Sequence, residues 1–132
     1  MQFRYLVTAP DLNAHGSLHG GILMKWVDEA CGIEARLMTN HVCATVHIND
    51  ISFCDTARLG DIIEISVKHQ STGNTSITFS ANAFVLVTGD VAKRKIASFD
   101  RVVFVAVDKN HKPRDHRDES SSFKPVHPDR RS

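Results

Sequence analysis

Between residues 20 and 38 apolar side chains return every three or four positions: Leu23, Trp26, Val27, Ala30, Ile33 and Leu37. That period belongs to an α-helix with one face turned inward. Lys25, Glu29 and Arg36 fall on the opposite, wet face, and the Asn40-His41 pair closes the segment. The same spacing makes Met24, Trp26 and Met38 packing residues. From residue 42 onward the period changes to two. Val42, Ala44, Val46 and Ile48 alternate with smaller or polar residues over 42–53. Residues 61–70 alternate in the same way, and 75–88 carry Ile77, Phe79, Ala81, Ala83, Val85 and Val87 on one face. Residues 94–107 end in the run Val102 to Val107. These are strand patterns, and a further strand is expected over residues 3–8, ended by Pro10. Leu59-Gly60-Asp61, Thr72-Gly73-Asn74 and Thr88-Gly89-Asp90 are turn signals between them.

The expected order is strand, helix, then four strands with hairpin-length connections. An antiparallel sheet with one long helix filling its concave face accounts for that order, an α+β fold. Residues 109–132 break the pattern. They hold seven Lys or Arg, three His, four Asp or Glu, three prolines and the run Ser120–Ser122. So little apolar surface cannot offset the entropy of ordering, so a polar tail is expected, with the domain over 1–115 and the tail over 116–132.

Composition narrows the function classes. In 132 residues, 16 Lys and Arg balance 15 Asp and Glu. A net charge of +1 gives no reason to expect nucleic acid or an anionic membrane as partner. Cys31, Cys43 and Cys54 are odd in number and lack CxxC spacing, which argues against a disulfide framework or a zinc site and points to a reducing, cytoplasmic compartment. No signal peptide or membrane span is expected.

Chemistry concentrates where the helix begins. Asn13-Ala14-His15-Gly16-Ser17-Leu18-His19-Gly20-Gly21 runs straight into the apolar stripe. The first N–H groups of a helix lack intrahelical partners, and the helix dipole favours negative charge there. Gly20 and Gly21 leave such groups open to an oxygen that gains charge during a reaction, although a Gly-Gly pair also serves plain loop flexibility. Asp28 follows about two turns later, at the border between the apolar stripe and the charged face. Periodicity alone is equally met by a solvated helix carboxylate. Asn13 is by itself an ordinary turn or capping residue. His15 and His19, four apart, resemble metal ligands, but no third ligand lies at suitable spacing, so no metal is expected. No phosphate-binding glycine loop is present. The cysteines are read as packing residues, since a thiolate needs an electropositive setting and Cys31 lies one turn from Asp28.

Taken together, Asn13-x-x-Gly16-x-x-His19-Gly20-Gly21 and Met24-Lys25-Trp26-Val27-Asp28-Glu29-Ala30 resemble hotdog-fold acyl-CoA thioesterases. The nearest group is the bacterial short-chain acyl-CoA hydrolases with their mammalian cytosolic and brain counterparts. Val46-x-Ile48-x-x-Ile51-x-Phe53, Arg58-Leu59-Gly60-Asp61, Lys93-Arg94 and Phe104-Val105-Ala106-Val107-Asp108 with Lys112-Pro113-Arg114 extend the likeness over roughly residues 3–115. The resemblance implies a hotdog fold, an antiparallel sheet wrapped around one central helix. It implies homodimers with continuous sheets and shared active sites, and an oligomer as large as a hexamer. It assigns Asp28 to activating water or attacking the thioester, and Asn13, from the neighbouring subunit, to positioning water or carbonyl. Gly20 and Gly21 match the backbone donors, and His19 matches a position that shapes the substrate loop. Thr75, Ser76 and Arg94 are candidate coenzyme A contacts, Arg94 because guanidinium suits phosphate. Three positions depart from the family pattern: His15 for Asn, Lys95 for an aromatic, and Glu34 for an aliphatic residue.

The implied function is hydrolysis of fatty acyl-CoA to free acid and coenzyme A, with no cofactor beyond the coenzyme A of the substrate. An enoyl thioester hydratase and a non-catalytic acyl-CoA-binding module stand as alternatives on the same fold.

Overall fold

A computed structural model describes residues 1–89, 92–108, 110 and 112–116. Among the described residues one α-helix, α1 (Gly20–Thr39), a short 3-10 turn (Ala9–Asp11) and five strands are present: β1 (Gln2–Leu6), β2 (Cys43–Phe53), β3 (Ile62–Thr72), β4 (Ser76–Leu86) and β5 (Lys93–Ala106). All pair antiparallel in one sheet of order β1-β3-β4-β5-β2. The one-helix, wrapped-sheet architecture expected from the period switch is present, with each strand within two residues of its expected ends at most positions.

The helix has local reasons to start and stop. His19 caps it, its ring Nδ1 accepting the Gly21 N–H at 2.9 Å. Asn40, at φ 58°, takes the left-handed C-cap conformation that Asn tolerates, and its N–H bonds the Arg36 carbonyl. Leu23, Trp26, Val27, Ala30, Cys31 and Ala35 pack against Ile63, Ile65, Phe79, Ala83, Ile96, Phe99 and Val102 of the sheet. Inward residues of β4 alternate strictly with outward ones, as period two requires.

Four expectations change. Ile33 and Leu37 of the sequence stripe, and Met38, expected to pack, are 47%, 65% and 48% exposed. The buried arc drifts around α1 toward Cys31, Ala35 and Thr39, so these three face outward. Val87, expected inside, is also exposed, just beyond the end of β4. Next, β2 and β3 are not a hairpin. They sit at opposite sides of the sheet, and residues 54–61 cross between them under the start of α1. Leu18 N–H bonds the Ala57 carbonyl, and Ser17 bridges Arg58, so that crossing ties down the glycine loop. Finally, the polar segment does not begin at 109. Arg114 N–H returns to the Ala106 carbonyl, and His116 bonds Asn74 and Gly73 of the β3–β4 turn. The tail expected over 116–132 lies outside the described residues beyond His116.

Strand β2 is an 11-residue edge strand, bulged between Thr45 and His47, with Val46 half exposed. A long, apolar, unpaired edge is a template for pairing with another chain.

Candidate active site

Asp28 sits midway along α1, half-buried, on the flank facing β2. Thr45 of β2 donates its hydroxyl to Asp28 Oδ1 at 2.5 Å. A short hydrogen bond to a carboxylate oxygen is a charge-assisted one, so it fixes the rotamer of Asp28. The other oxygen, Oδ2, has no such partner among the described hydrogen bonds and is the one left to meet a ligand. Thr45 was not legible as a site residue. In the sequence it is one polar residue in an alternating strand, and only the packing of β2 beside α1 brings it to Asp28.

This pair opens into a groove of about 550 Å³. Its walls are Gly32, Ile33, Arg36 and Leu37 of α1, Val42 and Cys43 at the start of β2, and Phe104 of β5, with Tyr5 and Glu29 at the margin. Apolar walls around a few convergent polar groups are the ordinary make-up of a small-molecule site. Tyr5 stacks on Trp26 with ring centroids 4.8 Å apart. Burial, with the Asp28 and Glu34 charges, pushes the Cys31 thiol up to about 12, so it stays a packing group. Burial also raises Cys43, only partly offset by the hydroxyl of Thr39 and the charge of Arg36.

The helix entrance is a separate place. Gly20 and Asp28 are eight residues apart, which is about 12 Å along a helix axis. At the entrance, Gly21 N–H is already satisfied by the His19 ring, while Gly20 N–H makes no hydrogen bond among the described residues. Gly20 borders a smaller, apolar hollow of about 180 Å³ with Leu18, Leu23, Phe53 and Ala57. The Phe53 ring would lie 3.6 Å from any Cβ at Gly20. His19 is thereby a capping residue first.

Asn13 is held in the loop by its own carbonyl oxygen. Its Oδ1 accepts from His15 N–H at 2.9 Å and Ser17 N–H at 3.1 Å, an arrangement that leaves the amide NH2 as the outward group. Neither Asn13 nor the entrance glycines line the Asp28 groove of the same chain. Closeness in sequence therefore does not become closeness in space within one subunit.

The coenzyme A candidates separate as well. Ser76 pairs with Val105 and Arg94 with Val85, at opposite ends of β4, with about 30 Å of strand between them. Thr75 lends its carbonyl to Ala106 N–H. Arg94 is engaged by Asp55 at 2.8 Å and by the Thr56 carbonyl at 2.9 Å. Within one chain they cannot clasp one phosphate. Among the described residues no group of three His, Cys, Asp or Glu could hold a metal ion, and His15 and His19 have no third partner there. No described helix is long and apolar enough to cross a membrane.

Known proteins resemble this chain in sequence and fold. An uncharacterized acyl-CoA thioester hydrolase of Buchnera aphidicola is 29% identical over 112 residues, covering 83% of each chain. The hexameric thioesterase y2039 of Yersinia pestis superposes with a TM-score of 0.79 at 27% identity, covering 86% of this chain and 91% of that one. An acyl-CoA hydrolase of Staphylococcus aureus, solved with butyryl coenzyme A and coenzyme A, gives 0.80 at 23% identity, covering 87% and 70%. The family model of the thioesterase superfamily matches residues 15–92, from the glycine loop through α1 and the Asp28–Thr45 pair to the residue before β5. With one helix wrapped by five antiparallel strands and a carboxylate beside an apolar groove, this chain belongs to that superfamily.

Proposed function

We infer that this protein is an acyl-CoA thioester hydrolase whose active sites are each completed by a second copy of the chain. The observation that carries the reading is the Asp28–Thr45 pair opening into an apolar groove, about 12 Å of helix away from the free Gly20 N–H. A thioester needs a nucleophile or base on one side of its carbonyl carbon and hydrogen-bond donors at its oxygen, within a few ångströms of each other. One chain cannot bring its own two groups together, but two chains paired along their β2 edges and outward helix faces can.

Asp28 then takes a proton from water, or attacks the carbonyl carbon to form a mixed anhydride that water opens. Thr45 holds the carboxylate in register. The partner subunit's Gly20 N–H meets the carbonyl oxygen as charge develops, worth about 3–4 kcal/mol of barrier for one such donor. The partner subunit's Asn13 amide NH2 orients water or carbonyl. The thiolate of coenzyme A leaves readily, so neither a strong general acid nor a metal or organic cofactor enters the scheme.

Residue spacing supports these assignments. The Staphylococcus aureus acyl-CoA hydrolase has been solved with alanine in place of one Asn, one Asp and one Thr, separated by fifteen and then seventeen positions. Asn13, Asp28 and Thr45 have the same separations. Hexameric acyl-CoA thioesterases among the similar structures support a homo-oligomer built from such dimers. The three free cysteines fit a reducing cytoplasm, with neither membrane nor nucleic acid as partner.

The test is thiol release from acyl-CoAs between acetyl and palmitoyl, for wild type and Asp28→Asn. Turnover on some chain length, lowered about 10²–10⁴-fold in Asp28→Asn with the oligomer intact, is expected. Binding without turnover in wild type would replace this reading with a binding module.

A further inference from the structure

Gly32 is the odd residue on the open flank of α1. It lies one turn beyond Asp28 in the middle of a 20-residue helix, where glycine is the poorest helix former short of proline. Nothing within the chain requires it. Its φ is not positive, and a Cβ built there would stand 3.4 and 3.7 Å from Phe104 ring atoms, ordinary van der Waals contact. What a side chain at 32 would fill is the groove itself. Gly32 and Phe104 line a slot that runs from Asp28 and Thr45 toward Leu37 and Val42, at the open side of the groove.

The slot has a length. Asp28 to Leu37 is nine residues, about 13 Å of helix axis. An extended chain advances about 1.2 Å per bond, so roughly ten or eleven carbons span it. Ile33, Leu37, Val42 and Phe104 make its lining mostly apolar, with Arg36 the charged residue along it, and its mouth is the carboxylate that the hydrolase reading places at the thioester.

We propose that this slot takes the acyl chain, that Gly32 is the residue that determines acyl length, and that the enzyme prefers medium-chain acyl-CoA of about ten carbons. This rests on the thioesterase reading for the position of the thioester at Asp28. Gly32→Ala narrows the slot and Gly32→Leu closes it just past the carbonyl, while acetyl-CoA needs none of it.

The experiment compares kcat/KM for acetyl-, hexanoyl-, decanoyl- and palmitoyl-CoA in wild type, Gly32→Ala and Gly32→Leu, with oligomer size recorded for each. Wild type should peak near decanoyl. The decanoyl-to-acetyl ratio of kcat/KM should fall about threefold in Gly32→Ala and more than about tenfold in Gly32→Leu. An unchanged profile, or an equal loss at every length, overturns the proposal. Equal loss with a broken dimer would make Gly32 a subunit-packing residue instead. Calorimetry of decanoyl-CoA and acetyl-CoA binding in the Asp28→Asn background separates this from failure of the hydrolase reading. There Gly32→Leu should weaken decanoyl-CoA at least about fivefold more than acetyl-CoA, and an equal change for the two ligands would overturn the slot whatever the chemistry.

Discussion

On one side of α1, Leu23, Val27, Ala30, Cys31 and Ala35 lie against the sheet with almost no surface left. On the other, Ile33 and Leu37 leave about half or more of theirs open, beside Asp28 and Gly32. Both sides are apolar at helical spacing, yet one is core and the other lines the candidate site. Core residues answer to a sheet in the same chain. The open ones answer to groups outside it, an acyl chain or a second copy, and hydrophobicity alone does not distinguish the two. The same contrast separates the two ends of the chemistry. The Gly20 entrance and the Asp28 groove share one helix but face different surroundings, so the site depends on how subunits meet.

Opposite phenotypes on the two faces would sharpen this comparison most. Leu23→Ala should cost about 2–5 kcal/mol of stability, the range for a fully buried leucine. Leu37→Ala should cost under about 1 kcal/mol in thermal unfolding and instead weaken assembly, seen as dissociation on dilution in sedimentation velocity. Equal destabilisation by both would erase the distinction. Thr45→Val comes next. It removes the hydrogen bond to Asp28 while keeping the shape, and should lower kcat about tenfold or more with little change in melting temperature, the worth of a bond to a charged group being about 1.5–3 kcal/mol. A variant that kept full turnover would mean that Thr45 does not position Asp28.

The smallest effect belongs to a cluster that does not line the groove and serves as its control. Glu64, on the outer sheet face, is buried and held by Arg4 and Lys93, each at 3.2 Å. Burial alone would push its carboxyl up, but the hydrogen bonds and charges of Arg4 and Lys93 prevail and hold it below the usual range. A carboxyl depressed in the folded state stabilises above its unfolded value, about 4.3, and loses that contribution as pH falls through the folded value. Glu64→Gln should therefore lower stability by about 1–2 kcal/mol at neutral pH and flatten the acid limb below about pH 4, without altering turnover. A mutant whose acid unfolding matched wild type would show that the pair contributes nothing.

Much of this was legible in the sequence. The switch from period 3.6 to period two at residue 41 locates α1 and the strands, and the Asn13-to-Asp28 motif identifies the family. What was not legible has a common cause. Thr45 reaches Asp28 through strand order, and β2 lies at the sheet edge because residues 54–61 cross beneath α1, which no local pattern reports. Ile33 and Leu37 look like core because helix periodicity does not say where a sheet ends. Arg94 looks like a free cation until Asp55 is seen to hold it. The separation of Gly20 from Asp28, by contrast, needed only the helix rise, and it is arithmetic that a motif read as one unit conceals.

The most direct test of the shared site mixes two inactive variants. Asp28→Asn and Asn13→Ala are each purified, combined in equal amounts under conditions that exchange subunits, and assayed on the preferred acyl-CoA. If Asp28 works with the partner subunit's Asn13, half of the dimers become mixed and each regains one intact site, so about a quarter of wild-type activity should return. If both residues act within one chain, every site carries a lesion, and mixtures that exchange fully but stay inactive would contradict the account.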